Sequence, residues 1–453
     1  MSRRLGVSLG VMWALWLVAG KTASAGSADT TWLPLATAVE RALAQYPSVG
    51  AARAVGDQAR ASVGEAVAAW LPTLSLAASA TQYQEPMAVS PIHGFSPTEP
   101  LPIFDRTLIQ AGLSADYTLF DGGARGAKIH LARQQADAAA AALDGAQQAL
   151  ISRVVATYLD VLGKREVLAA HGRRIQSLLS QEDRVRQFYS VGRAADVEIL
   201  RIEAALTAGE AERVRVATAL DTSERELARL LGSAVDEEGL PRLVPVALAD
   251  SLLLPRDSLA CEASRYSPTV IQARSQLAAA AAGRVLARGV RWPSLRAVGS
   301  YVDRRNEERY HTDEWSAGLV LSYPLFTGGA IKGALARAGA TERAAAEQLR
   351  LVQMQVAGET DRALGAVNEA RARIRSLAAA SERYAEIVRI EKLRLETGVG
   401  TQTDYLNAEA DLLSASASLV EVRNAEIAAR VELARISGQL NSDWIACHLE
   451  NQP

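Results

Sequence analysis

The chain is poor in several things at once. It has two cysteines, Cys261 and Cys447, in 453 residues. A disulfide framework and a CxxC metal or redox motif are therefore excluded; one Cys261–Cys447 bridge or two unpaired thiols remain. Aromatic residues are 5% of the chain, while Ala, Arg and Glu abound. That balance belongs to chains built of long helices. The formal net charge is −2, with both signs well mixed, so no basic surface calls for a nucleic-acid partner. Beyond residue 26 no uncharged apolar run reaches the roughly 18 residues of a membrane-spanning helix. If this chain crosses a membrane, it does so with strands.

Signatures of catalysis are missing as well. The five histidines, His93, His130, His171, His311 and His448, form no HExxH and no i,i+4 pair, and His93 and His311 fall in predicted loops as solvated residues. There is no GxSxG elbow. "DGGARGAK" and "TGGAIKG" place Gly-Gly ahead of a helix, but neither has the spacing of a phosphate loop or a dinucleotide fingerprint. No enzyme activity, cofactor or metal is expected.

What is present begins with Arg3 and Arg4, an apolar stretch from Leu5 to Ala19, and the small-x-small site Ala23-Ser24-Ala25. This predicts a cleaved signal peptide over 1–25. No Cys follows the apolar run, so a lipid anchor is not expected.

The rest is one unit written twice. Pro47 and Pro268 are offset by 221, as are Pro72 and Pro293. Gly122-Gly123 and Gly328-Gly329 are offset by 206, as are Gly192 and Gly398, and Glu203 and Glu409. The first half carries an extra 15 residues between 72 and 122. After Gly122 the register does not slip, as a packed rod requires. The boundaries follow: a first repeat over 26–231, a linker over 232–258 with Pro241, Pro245 and Pro255, a second repeat over 259–438 and a tail over 439–453.

Each repeat opens on a helix, 33–69 in the first. Two strands follow, about 71–83 and 108–120, then 293–303 and 315–326 in the second repeat. Residues 84–107 are a proline-rich loop and 303–314 a charged one. Leu113, Ala115, Tyr117 and Leu119 alternate with Ser114, Asp116 and Thr118; Leu319, Leu321 and Tyr323 alternate with Gly318 and Ser322. Apolar-out, polar-in alternation ending in an aromatic is how membrane barrel strands read. After each Gly-Gly comes a proline-free helix, 124–190 and 330–397, long enough to reach roughly 100 Å. Leu168, Ile175, Leu178 and Val185, and Ile374, Leu377, Tyr384, Val388 and Leu395, keep heptad-related gaps. Shorter helices follow at 194–231 and 402–437. The fold class is therefore mainly α with a membrane β-barrel portion. Four strands cannot close a membrane barrel, so subunits must combine; two would give eight strands and three would give twelve.

With "YTLFDGG" at 117–123, "YPLFTGG" at 323–329 and "GVGTQTDYLNAEADLL" at 398–413, the chain resembles the TolC-like outer-membrane efflux family over essentially its mature length. The resemblance implies a homotrimer with a twelve-stranded barrel in outer-membrane lipid and a coiled-coil tunnel across the periplasm of a Gram-negative envelope. It implies as partners an adaptor (membrane fusion) protein and an inner-membrane ABC or proton-driven transporter. The cargo would be a polypeptide, by type I secretion, or a drug or metal ion. Gly122, Gly123, Gly328 and Gly329 would be barrel–tunnel junctions. Leu113, Tyr117, Leu119, Leu319, Leu321 and Tyr323 would face lipid. At the periplasmic entrance Asp404 matches the first of two acidic residues and Asn407 replaces the second. Glu198 matches an acidic first-repeat residue of the closed tip. Leu395 and Gly400 stand where the family's best-known member has a Tyr and an Arg, so the lock must differ. The alternative is a periplasmic coiled-coil adaptor without a barrel; it predicts no strand alternation and a lipoyl-like domain, which the chain does not show.

Overall fold

The computed structural model describes residues 32–89, 104–232, 241–249, 255–308 and 310–451. The expected signal peptide over 1–25, His93 and most of the expected proline-rich loop lie outside them. In chain order the elements are α1 (Leu35–Gln45), α2 (Pro47–Ala68), β1 (Thr73–Ala88), β2 (Phe104–Phe120), α3 (Ala124–Ser190) and α4 (Asp196–Leu230). Then come β3 (Val246–Leu248), α5 (Arg256–Tyr266), α6 (Pro268–Gly289), β4 (Ser294–Arg305), β5 (His311–Ser322), α7 (Ala330–Glu396), α8 (Gln402–Ile436), α9 (Ser442–His448) and β6 (Leu449–Asn451). The duplication reaches element length. α3 and α7 each have 67 residues, and α4 and α8 each have 35.

Several boundaries differ from the sequence reading, each for a local reason. The single helix expected over 33–69 is two, because Tyr46 is extended (ψ 126°) before Pro47. The second repeat breaks in the same way at Ser267 before Pro268. Proline's ring crowds the preceding residue out of the helical region and then suits the first helical position. β1 runs on to Ala88, through Pro86, because the ladder shifts register between Gln82 and Met87; a bulge spares proline the amide it lacks. β5 begins at His311, which pairs with Arg305, so the charged loop is shorter than expected. β5 ends at Ser322, two residues before Pro324. The linker contributes β3, which pairs with β6 of the tail, so the tail is structured. Cys261 and Cys447 are free and exposed.

The main core lies midway along the helices. Val154, Val155, Tyr158 and Val161 of α3 meet Leu35 and Val39 of α1, Leu227 and Leu230 of α4, Val431 of α8, and Leu440 and Ile445 near the C-terminus. Tyr158 is fully buried. Its hydroxyl hydrogen is shared between the carbonyls of Leu33 (2.7 Å) and Val244 (2.8 Å), and its oxygen accepts the Val244 N–H at 2.8 Å. One phenol thus fastens the N-terminal segment and the linker to a tunnel helix. Along the distal rods Ile175, Leu178 and Val185 are buried, whereas the α7 seam from Ile374 to Leu395 is only half-buried.

Candidate functional site

The four large strands form one antiparallel sheet, β1-β2-β4-β5. Its register sorts the side chains onto two faces. Ser75, Ser114, Ser300 and Ser316 make one row across all four strands. Within it Ser75 and Ser114 hydroxyls are 2.6 Å apart, and those of Ser300 and Ser316 2.8 Å. On the same face Arg296 pairs with Asp116 at 3.1 Å and Arg304 with Glu314 at 2.6 Å. The neighbouring row on the opposite face is Leu76, Leu113, Tyr301 and Trp315. Leu113, Tyr117, Leu119, Leu319, Leu321 and Tyr323 are all exposed. A bulge at Leu119 sets Phe120 opposite Leu295. One hydrogen-bonded polar face and one bare apolar face suit a wall between water and lipid. Among the described residues no helix is long and apolar enough to cross a membrane.

Each strand pair passes into a tunnel helix through Gly-Gly. Gly122 and Gly123 have φ of 65° and 84°, and Gly328 and Gly329 58° and 89°. Left-handed backbone of this kind is what glycine permits. A Cβ on Gly122 would also lie 2.7 Å from the Gly289 carbonyl oxygen. The first junction carries a clamp that the sequence reading missed. Asp121 accepts from the Arg125 backbone and side chain at 2.9 and 3.0 Å, and the guanidinium lies 4.3 Å from the Trp70 ring centroid. The equivalent second-repeat positions hold Thr327 and Ile331, which cannot form it.

At the far end, α3 turns into α4 and α7 into α8. Gly192 (φ 76°) and Gly398 (φ 77°) end the long helices. Glu198 and Asp404 both take the third position of the following helix. Thr401 caps α8: its Oγ1 accepts the Asp404 N–H at 3.2 Å and its hydroxyl donates to Asp404 Oδ2 at 2.7 Å. Ala195, in the matching place, offers α4 no side-chain cap. Asp404 and Asn407 are exposed one turn apart, and Glu198 is half-buried. Leu395 is half-buried, with its carbonyl accepting the Gly398 N–H at 3.3 Å. Gly400 has a packing reason: a Cβ there would fall 2.8 Å from Arg394 Cβ and 3.1 Å from its carbonyl carbon. No side chain fits at Gly400 without moving the turn.

Other residues tie the hairpins together. Ser177 on α3 donates to Glu409 on α8 at 2.8 Å, and Tyr405 donates to the same carboxylate oxygen. Gln402 bonds Gln181, and Arg201 donates to Thr403 at 3.0 Å. Arg184 faces Glu396 at 3.8 Å. Burial pushes the Tyr405 phenol up to about 12, with help from Glu409, so it stays protonated and donating. The polar run that opens "TQTDYLNAE" was the only sequence signal for this clasp. Among the described residues no cluster of metal-ligating side chains forms.

A two-faced sheet continuous with two long helical hairpins defines an outer-membrane conduit. The chain belongs to the outer membrane efflux protein family, whose model matches residues 38–233 and 259–439. The pyoverdine export outer membrane protein OpmQ of Pseudomonas aeruginosa is 24% identical over 404 residues, covering 88% of this chain and 84% of that one. The proteases secretion protein PrtF of Dickeya chrysanthemi is 23% identical over 308 residues, covering 65% of each. The crystal structure of the Campylobacter jejuni CmeC outer membrane channel superposes with a TM-score of 0.76 at 18% identity, over 91% of this chain and 88% of that one. The protein is an export duct of the Gram-negative outer membrane, and the adaptor alternative falls with the family match.

Proposed function

We propose that three copies of this chain close a twelve-stranded barrel and a continuous tunnel, forming the exit duct of a tripartite export system. The observation that carries this is the sheet itself. Among the described residues it spans four strands, ends in unpaired edges at β1 and β5, and has too few strands to close in lipid alone. An open edge in hydrocarbon leaves costly unpaired backbone groups, so another chain must supply the missing strands. The duct is passive: an inner-membrane transporter supplies energy, and a periplasmic adaptor opens the tip. Cargo choice belongs to that transporter, because relatives of one architecture are named for pyoverdine export and for protease secretion. At the tip, Asp404 from each copy forms a carboxylate ring, with Asn407 as an uncharged ring one turn away; such rings hold cations at a constriction. Outer-membrane extracts run unheated on denaturing gels should give a band of three chains that collapses to one on boiling. A single-chain band without heating, or recovery in the soluble periplasmic fraction, would overturn the trimeric duct.

A further inference from the structure

Just below the sheet the two repeats differ in charge. From Pro268 to Val302 the chain has no acidic residue, and from Tyr323 to Thr341 it has none either. These segments hold the end of α6 and the start of α7, the helices that join the second strand pair. Arg288, Arg291, Lys332 and Arg343 are exposed there. Among the described residues no carboxylate pairs with any of the four. By the offsets of 221 and 206, their first-repeat equivalents are Val67, Trp70, Gly126 and Asp137. Four positive charges in one repeat thus replace a single negative one in the other.

The four bases lie close in height. α6 runs up to the sheet and α7 runs down from it, packed together. Arg284 donates to Glu342 at 2.7 Å, which sets the register of the pair. At 1.5 Å per residue, Arg288, Arg291 and Lys332 lie roughly 6, 10 and 15 Å nearer the sheet than that ion pair. Arg343 reaches into the room that Gly339 leaves, its Nη1 being 3.8 Å from a Cβ placed there. Handedness decides which side of the wall they occupy. A Cβ on Gly112 would lie 3.4 Å from the Tyr301 carbonyl oxygen. That carbonyl therefore points at β2, and Leu113 and Tyr301 are a hydrogen-bonded pair. For L-residues this puts β4 to the left of β2, seen from the apolar face with β2 running down. The helices keep the strand order, with α6 packed between α3 and α7. A right-handed α6 in that place turns Arg288 and Trp292 towards the apolar-face side, and α7, running the other way, turns Lys332 and Arg343 to the same side.

We infer that this patch binds the headgroup of an acidic phospholipid of the periplasmic leaflet, once per chain. The patch is continuous with the apolar sheet face that lipid covers. It starts where β4 and β5 end, at Ser294 and Ser322, which is the level of the headgroup phosphates. Clustered bases beside a membrane attract acidic lipid. Trp292, 62% exposed, supplies an indole at the same boundary, where such rings settle. The first repeat has the same helices at the same height without the bases, so the charge is no requirement of the fold.

Delipidated protein in nonionic detergent, titrated with dioctanoyl phosphatidylglycerol, tests this. Native mass spectrometry counts bound lipid, and thermal melts read its effect. Phosphatidylglycerol should stay bound at one per chain and raise the melting temperature; dioctanoyl phosphatidylcholine should do neither. Arg288→Gln with Lys332→Gln should weaken phosphatidylglycerol binding roughly thirtyfold, with the lipid-free melt unchanged. Lys128→Gln, which removes an exposed base of α3, should leave binding as it was. Equal retention of the two lipids, undiminished binding by the Arg288 and Lys332 variant, or an equal loss in Lys128→Gln overturns the site. The same stabilisation by glycerol 3-phosphate alone overturns lipid as its occupant.

Discussion

At Asp404 one carboxylate serves two ends, and substitutions separate them. Its Oδ2 is held by Thr401, and its backbone amide is capped by the same hydroxyl. Thr401→Ala should cost the tip about 1 kcal/mol as a lost cap and leave ion selectivity alone. Asp404→Asn keeps an acceptor for Thr401 but removes the charge. It should lower cation selectivity in planar bilayers with an unchanged melting temperature. Unchanged selectivity would end the ring proposal. Tyr158 is the second residue whose contacts decide a test. Burial pushes its phenol up to about 12 from an ordinary 10.0. The folded state therefore holds the proton more tightly than the unfolded chain does. That contribution is whole below about pH 10 and is lost as pH rises through about 12. Tyr158→Phe removes the phenol's bonds and leaves the Val244 carbonyl without that donor, while the Val244 N–H keeps the Leu33 carbonyl at 3.4 Å, so it should cost about 1–3 kcal/mol at neutral pH. Thermal melts in detergent should show this loss together with a shallower decline above about pH 10. An unchanged melt at neutral pH would show the Tyr158 hydrogen bonds to be dispensable.

Among the elements, the barrel strands carry the sharpest contrast. Leu319 lies on the apolar face and Ser316 in the serine row, three residues away on one strand. Placing Arg on the lipid side near mid-membrane costs roughly 2–4 kcal/mol, while the lumen side tolerates it. Leu319→Arg should therefore deplete trimer from the outer membrane, and Ser316→Arg should do so far less. Equal membrane levels would count against the face assignment. The long helices make a different point. α3 buries its apolar positions within the chain, but α7 leaves its seam half-open over the same spacing. A heptad pattern reports that a partner is needed; it does not report whether that partner lies in the same chain.

Over the whole molecule, much was legible in residue types because the informative signals are local or periodic. Alternation marks strands, proline-free heptads mark rods and Gly-Gly pairs mark joints, whatever surrounds them. Written twice, each signal has a copy at a fixed distance, which is why the matched 67- and 35-residue helices follow from one offset. Boundaries were less legible: His311 reads as loop, yet it is a strand residue once Arg305 stands opposite. The clasp was barely legible and the Tyr158 contacts not at all. Ser177 meets Glu409 across 232 positions, and Tyr158 meets Leu33 across 125. No period links such residues; only the packing of rod on rod brings them within hydrogen-bond range. Gly400 shows the same division. The family resemblance leads one to expect a gate position there, and the turn geometry alone shows that no side chain has room. Periodicity fixes which elements exist because it reflects each residue's own backbone preference. Contacts between distant residues are fixed later, because they depend on how the finished elements lie against one another.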